Sequence, residues 1–394
     1  MHSITDLDIS EKRVFIRVDF NVALDKKTGA IADDTRIRAA LPTIQYALAH
    51  DAKVILASHL GRPKGSGFEE KYSLKPVAER LSELLPKVEV VFPEDCVGDG
   101  IRKLTHDLTP GKLMLLENLR FHAGEEKNDP AFSKELASLA DIYVNDAFGT
   151  AHRAHASTVG MVQYFKEKAA GFLLQKEVDF LSQITKNPTK PYVGILGGAK
   201  ITDKLPVIEN LLDHVTALCI GGGMAYTFLK AKGVNVGASL VDDTKVHSAT
   251  KVLRRADTKG VPIYLPVDNV VASGLESADP QTTAGTDIPA GMMGLDIGPK
   301  TIAQFTEALK SAKTVFWNGP LGVFENPNFA AGTLAIAQVL ATLTDATTVV
   351  GGGDSIAAIH QAGVADKITH ISTGGGASLE FVEGKSLPGI RALG

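Results

Sequence analysis

Thr347-Thr348-Val349-Val350-Gly351-Gly352-Gly353-Asp354-Ser355-Ile356-Ala357-Ala358-Ile359-His360-Gln361 reads as a strand, a glycine turn and the start of a helix. Consecutive β-branched residues favour an extended strand. Three glycines let the backbone turn sharply and approach a ligand closely. The run Ile356 to Gln361 then carries helical periodicity. Unpartnered N–H groups at such a helix start form an anion site. Asp354 admits two readings: it caps the helix, or it holds Mg²⁺ against phosphates, directly or through water.

The same pattern recurs through the second half. Strands are expected at Tyr192 to Leu196, Thr216 to Ile220, Ile263 to Val267, Thr314 to Trp317, Thr347 to Val350 and His370 to Ser372. Glycine follows five of them: Gly197-Gly198, Gly221-Gly222-Gly223, Gly319, Gly351-Gly352-Gly353 and Gly374-Gly375-Gly376. Only the strand ending at Val267 breaks the pattern, running into Asp268. Gly197-Gly198-Ala199-Lys200-Ile201-Thr202-Asp203-Lys204 is expected to open a helix, with Lys200 and Lys204 on one face. Lysines in a first helical turn oppose the helix dipole, so a polyphosphate between them would account for the arrangement.

The first half repeats the architecture with different chemistry. Strands are expected at Val14 to Val18, Lys53 to Ala57, Leu113 to Leu116 and Ile142 to Val144, with helical patterns such as Leu74 to Leu85 between them. Each strand runs into a polar cluster: Asp19-Phe20-Asn21, then Ser58-His59-Leu60-Gly61-Arg62, then Glu117-Asn118-Leu119-Arg120, then Asn145 to Arg153. Ligands of open parallel sheets bind beyond the carboxyl ends of the strands. Arg62, Arg120 and Arg153 fall there, with His59, Asp19 and Asn21, while Arg36 follows the first strand after a loop. Arginines gathered on one rim suit a small polyanion.

The strand–helix alternation gives an α/β fold of two doubly wound, Rossmann-like domains with mainly parallel sheets. The expected division is a first domain over 1–170, a linking helix and hinge at 171–185, and a second domain from 186. Composition follows the same division. Nine of the twelve arginines lie in residues 1–170, whereas 28 of the 38 glycines lie beyond them. The arginine-rich part is nevertheless not basic, because acidic side chains balance it, so its cationic site is local. A net charge of −4 argues against a nucleic-acid or membrane partner. Only Cys96 and Cys219 occur, which fits a reducing, cytoplasmic setting rather than a disulfide scaffold. The opening residues are polar and read as no signal peptide. The G-x-x-x-x-G-K-[ST] loop and the protein-kinase motifs are absent, which excludes those two classes of phosphotransferase.

Taken together, Arg17-Val18-Asp19-Phe20-Asn21-Val22, Ser58-His59-Leu60-Gly61-Arg62-Pro63, Asp146 to His155, Gly197-Gly198-Ala199-Lys200, Trp317-Asn318-Gly319-Pro320, Gly351-Gly352-Gly353-Asp354 and Ser372 to Ser378 resemble the phosphoglycerate kinase family, in family order. One departure is Ala23, where proline commonly follows Asn-Val. The resemblance implies reversible phosphoryl transfer from 1,3-bisphosphoglycerate to MgADP, giving 3-phosphoglycerate and MgATP. It implies that Asp19, Phe20, Asn21, Arg36, His59, Leu60, Gly61, Arg62, Arg120 and Arg153 form the phosphoglycerate site. Lys200, Lys204, Gly294, Glu325, Gly351, Gly352, Gly353, Asp354 and Ser355 would serve ATP or ADP, with Leu295 beside the adenine, Glu325 on the ribose and Asp354 on Mg²⁺. Arg36, Lys200 and Gly375 would act on the moving group. The family is usually monomeric, and it places its last residues back on the first domain, which here implies 1–170 with 379–394 for phosphoglycerate and 186–378 for the nucleotide.

A carboxylate nucleophile is already ionised at neutral pH and needs no general base. Catalysis then rests on alignment and cations, with closure of a cleft by hinge motion. Loss of Arg36, Lys200 or Asp354 would point instead to a non-catalytic nucleotide-binding protein of the same fold; all three are present.

Overall fold

Short apolar strands buried on both faces pair in parallel only when crossover segments cover them, and both halves of the chain solve this in the same way. The computed structural model describes residues 1–25 and 27–394. The chain divides into two units: Met1–Asp179 with Ser386–Gly394, and Phe180–Lys385. The first boundary falls inside the helix Phe172–Lys186, and the returning segment begins at Ser386, not at residue 379. Packing accounts for both differences. Phe180 stacks on His370 of the second unit at 4.6 Å. The helix Gly376–Val382 is tied to that unit too, with Asn210 Nδ2 donating to the Val382 carbonyl at 2.7 Å.

The first unit holds strands β1 (Arg13–Val18), β2 (Lys53–Ala57), β3 (Val90–Val91), β4 (Leu113–Leu115), β5 (Ile142–Asp146) and β6 (Lys168–Ala170). They form one sheet in the order β3-β4-β2-β1-β5-β6, with every pair parallel. Val14, Ile16 and Val18 pack in one core with Ile37 and Ile44 of the helix Thr35–Ala49 and with Val77 and Leu81 of the helix Lys75–Leu84. The short edge strands β3 and β6 were not expected from the sequence.

The second unit holds β7 (Tyr192–Leu196), β8 (Ala217–Ile220), β9 (Ile263–Tyr264), β10 (Asn269–Ala272), β11 (Gln281–Thr282), β12 (Met293–Ile297), β13 (Thr314–Asn318), β14 (Thr347–Gly351) and β15 (His370–Ile371). Six of these form a parallel sheet in the order β15-β14-β13-β7-β8-β9. The strand expected over 263–267 is shorter, ending at Tyr264. The chain then enters a separate antiparallel sheet, β11-β10-β12, that was not expected from the sequence.

Both six-stranded sheets reverse their winding once. In the first, the chain passes from β1 to β2 on one side and returns to β5 on the other. In the second, β7 leads to β8 on one side, and β13 takes the other. The crevice outside the carboxyl ends at such a switch point is where open α/β sheets hold ligands. The two crevices therefore open beside Asp19 and Asp146 in the first unit, and beside Gly197 and Asn318 in the second.

Candidate functional site

At the first switch point, β1 ends in Asp19, and its carboxylate accepts a hydrogen bond from Arg36 Nη1. Arg36 stands on the first turn of the helix Thr35–Ala49 with its side chain 36% exposed. His59 Nδ1 lies 4.0 Å from the Asp19 carboxylate. Asn21 Oδ1 accepts from the Gly61 N–H at 2.8 Å, and Arg120 Nη1 donates to the Gly61 carbonyl at 2.8 Å. The loops after β1, β2 and β4 are thus linked by their own polar groups. Arg62 and Arg153 stand exposed after β2 and β5. Phe20 and Leu60 are buried, so their side chains hold the loops in place and offer a ligand only backbone.

Beneath this rim lies a buried polar layer. Arg17 is fully buried and donates through Nε to Ser157 Oγ at 2.7 Å and through Nη1 to the Val18 carbonyl. Its Nη2 is 3.3 Å from His59 Nδ1 and 4.0 Å from the buried Glu125 carboxylate. Glu125 accepts from the Ser157 hydroxyl at 2.6 Å and from its N–H at 2.9 Å. Burial, then the charges of Arg17 and Arg120, hold the His59 imidazole well below its ordinary pKa. The same causes lower His155 to about 3. Both histidines are therefore neutral at physiological pH, and the positive charge of the rim belongs to its arginines. Arg17, Glu125 and His155 carry no expected role from sequence. The available signal was an arginine inside the otherwise apolar strand Val14-Phe15-Ile16-Arg17-Val18.

At the second switch point, β7 and β13 run side by side with Leu196 opposite Asn318. A cavity of about 310 Å³ lies at their ends, lined among others by Lys200, Lys204, Asn318, Gly353, Asp354 and Ser355. The lysines do not occupy a helical turn as expected. The helix begins at Leu205, next to Pro206, whose fixed φ suits a first turn, so Lys200 lies in the preceding loop and Lys204 just ahead of the helix. Lys204 Nζ donates to Asn318 Oδ1, and burial lowers its pKa to about 8 against the opposing pull of Asp203 and Asp354. Lys200 is exposed.

Asp354 does not cap its helix. Gly352 occupies the cap position at φ +93, a conformation that glycine accepts and side chains resist, and Asp354 lies exposed in the first turn. This removes the capping reading and leaves the carboxylate directed at the cavity with the lysines. Ser355 turns inward, and its Oγ accepts from the Gly319 N–H at 2.6 Å, joining the loops after β13 and β14. Gly351 ends β14, and Gly375 caps the helix Gly376–Val382 at φ +52; neither lines the cavity.

A second, largely apolar cavity of about 350 Å³ adjoins the first through Gly198, Ala199, Pro320 and Asp354. Its lining includes Tyr226, Leu240, Met293, Leu295, Val323 and, at the edge, Glu325. Gly294 lies against the Tyr226 ring, where any added carbon would collide with the phenol oxygen at 2.0 Å. A lysine-lined chamber continuous with an apolar one matches the division of a nucleotide into phosphates and base. Asn318 and Tyr226 carry no expected role from sequence. Asn318 lies within a segment quoted for the resemblance, while Tyr226 reaches the cavity only through the fold.

Comparison with known proteins agrees with this geometry. Residues 4–385 match the family described as phosphoglycerate kinase. The phosphoglycerate kinase of Koribacter versatilis is 58% identical over 99% of this chain and 98% of that protein. A chloroplastic one from Volvox carteri is 57% identical over 98% of this chain and 84% of that protein. The solved phosphoglycerate kinase of Coxiella burnetii superposes with a TM-score of 0.90 at 44% identity, covering 99% of this chain and 98% of that one.

Proposed function

We infer, since the chain belongs to the phosphoglycerate kinase family, that it transfers a phosphoryl group reversibly between 1,3-bisphosphoglycerate and ADP, giving 3-phosphoglycerate and ATP. The observation that carries this reading is chemical complementarity at the two switch points. One carries an arginine rim around Asp19 and Asn21, and the other a lysine-lined chamber continuous with an apolar pocket.

In the ATP-consuming direction, a carboxylate oxygen of 3-phosphoglycerate attacks the γ-phosphorus. The bond from that phosphorus to the bridging oxygen breaks, and ADP leaves with the electron pair. No proton has to move, so the protein's task is to align two anions and screen their repulsion. In this reading Arg62, Arg120, Arg153 and neutral His59 hold the substrate phosphate, and Asp19 and Asn21 orient its hydroxyl and carboxylate ends. Lys204 contacts nucleotide phosphates, Glu325 the ribose, and Gly294 with Leu295 the base. Arg36, Lys200 and the Gly375 N–H stabilise charge on the transferring group, where preorganised donors act most strongly with water excluded. Mg²⁺ bound to the nucleotide would neutralise phosphate charge. Asp354 fits it, being an exposed hard oxygen ligand on the wall of the lysine chamber that serves as no helix cap.

Substrates carried on different units must meet for direct in-line transfer, so turnover requires closure by hinge motion. A monomeric, cytoplasmic enzyme is the form proposed, and the two free, buried cysteines support a reducing compartment. The decisive assay is ATP-dependent phosphorylation of 3-phosphoglycerate beside related phosphorylated acids. Turnover of another acid with none of 3-phosphoglycerate would defeat the assignment. Small-angle scattering with both ligands bound should show compaction relative to the free protein; an unchanged radius would remove closure from the mechanism.

A further inference from the structure

Outside both switch points, three metal-ligating side chains meet at the outer edge of the first sheet. Asp95 and Cys96 follow the edge strand β3, and His122 follows β4, its neighbour. One donor atom from each lies within 4.8 Å of the others. None of the three serves the substrate rim or the nucleotide cavities described above.

The cluster is built rather than loosely gathered. Asp95 Oδ1 accepts from the Cys96 N–H at 2.6 Å and lies 2.7 Å from His122 Nε2. The His122 ring stacks on Phe132 at 5.2 Å and 23°, which fixes the plane in which its nitrogens point. Cys96 is fully buried and carries a free thiol, while the Asp95 side chain is 50% exposed. The arrangement has an aromatic ring against the imidazole, a buried soft ligand and a half-exposed carboxylate.

We propose that Asp95, Cys96 and His122 form a binding site for a thiophilic divalent cation of the zinc type. A tetrahedral zinc ion holds nitrogen and oxygen at about 2.0–2.2 Å and sulfur at about 2.3 Å, which places its ligands roughly 3.3–3.7 Å from one another. The cluster comes within about an ångström of that geometry. The ion replaces the Asp95–His122 hydrogen bond, parting those two atoms and drawing the thiol in. The thiol proton, and any proton on His122 Nε2, passes to solvent as sulfur and nitrogen bind the metal. The partly exposed mouth leaves water the fourth position. Magnesium and calcium are disfavoured, because both prefer all-oxygen ligands.

The test uses the full chain, stripped with chelator and kept in excess Mg²⁺ without nucleotide. Cobalt(II) is the spectroscopic probe and zinc the competitor. One equivalent of cobalt should give visible bands of a four-coordinate ion and a near-ultraviolet thiolate charge-transfer band, and zinc should abolish both. Cys96→Ser should lose the charge-transfer band and weaken zinc binding by more than about tenfold, since even outer-sphere changes reach that size. Cys219→Ser should keep both properties. His122→Asn alters the half-exposed edge of the cluster and takes over the test if Cys96→Ser fails to fold: loss of the one-equivalent bands supports the site. Absence of a thiolate band in the parent protein, or its persistence in Cys96→Ser or His122→Asn, overturns the proposal.

Discussion

Nucleotide binding should draw a proton from solution in mildly alkaline buffer, and Lys204 is the group that takes it. Its ammonium is half-buried against Asn318, and burial holds its pKa at about 8 in the unliganded protein. A phosphate chain in the lysine-lined cavity adds negative charge beside it and restores the ordinary value of about 10.4 or higher. The proton uptake is the difference between the two titration curves. It is about 0.1 proton per nucleotide at pH 7, about 0.5 at pH 8 and about 0.9 at pH 9. Over that range the apparent affinity for ADP should fall toward one decade per pH unit. Calorimetric titration in buffers of different ionisation enthalpy measures the uptake directly. ADP itself and other side chains also exchange protons, so the quantity that tests the reasoning is the difference between the parent and Lys204→Met. That difference should follow the rising curve. Equal uptake in the two proteins at pH 9 would refute the assignment of a neutral fraction to Lys204.

Three further outcomes follow from named contacts. Arg36→Ala should lower kcat by about 10²–10³-fold, the scale for losing one donor aimed at developing charge, while leaving ADP affinity nearly unchanged; equal loss in both would end its proposed catalytic role. Ser355→Ala strips the acceptor from the buried Gly319 N–H and should cost about 1–3 kcal/mol in denaturant unfolding. Asp146 is fully buried, and burial raises its pKa to about 7 even though it accepts N–H groups of Leu173 and Leu174. A carboxyl that binds its proton more tightly when folded contributes stability that is fully present below about pH 4 and is lost as the pH rises through about 7. Asp146→Asn removes that loss, so relative to the parent it should gain about 2–4 kcal/mol between pH 4 and pH 8; a flat difference across the range would contradict the burial argument.

The parts legible in the sequence are those fixed by local chemistry. Lys53–Ala57 and Tyr192–Leu196 can be bounded to the residue, because each is a short apolar run stopped by a polar or glycine signal. The glycine and arginine clusters are legible for the same reason, since they must follow a strand to reach a ligand. What escaped depends on distant partners. Val90–Val91 is two residues long and exists as a strand only through β4. The antiparallel sheet pairs Asn269 with Ile297, far beyond any sequence window. The four-residue spacing of Lys200 and Lys204 suggested a helix face, but the chain delays the helix until Leu205 and reaches the same cavity through a loop. Arg17 looked like one basic residue in a motif; only the packed fold shows it enclosed with Glu125 and Ser157.

The return of Ser386–Gly394 to the first unit, where the Gly389 N–H donates to the Ala151 carbonyl at 2.8 Å, bears on how the chain is made. Domains commonly fold in the order of their synthesis, amino-terminal first. Here the second unit is one unbroken segment, Phe180–Lys385, and has all its residues before the first unit does. The arginine rim around Ala151 and Arg153 therefore waits, during translation, for residues that leave the ribosome after the whole nucleotide unit. A released chain that stopped before Ser386 would carry every residue of the second unit yet lack the segment that closes on Ala151 in the first.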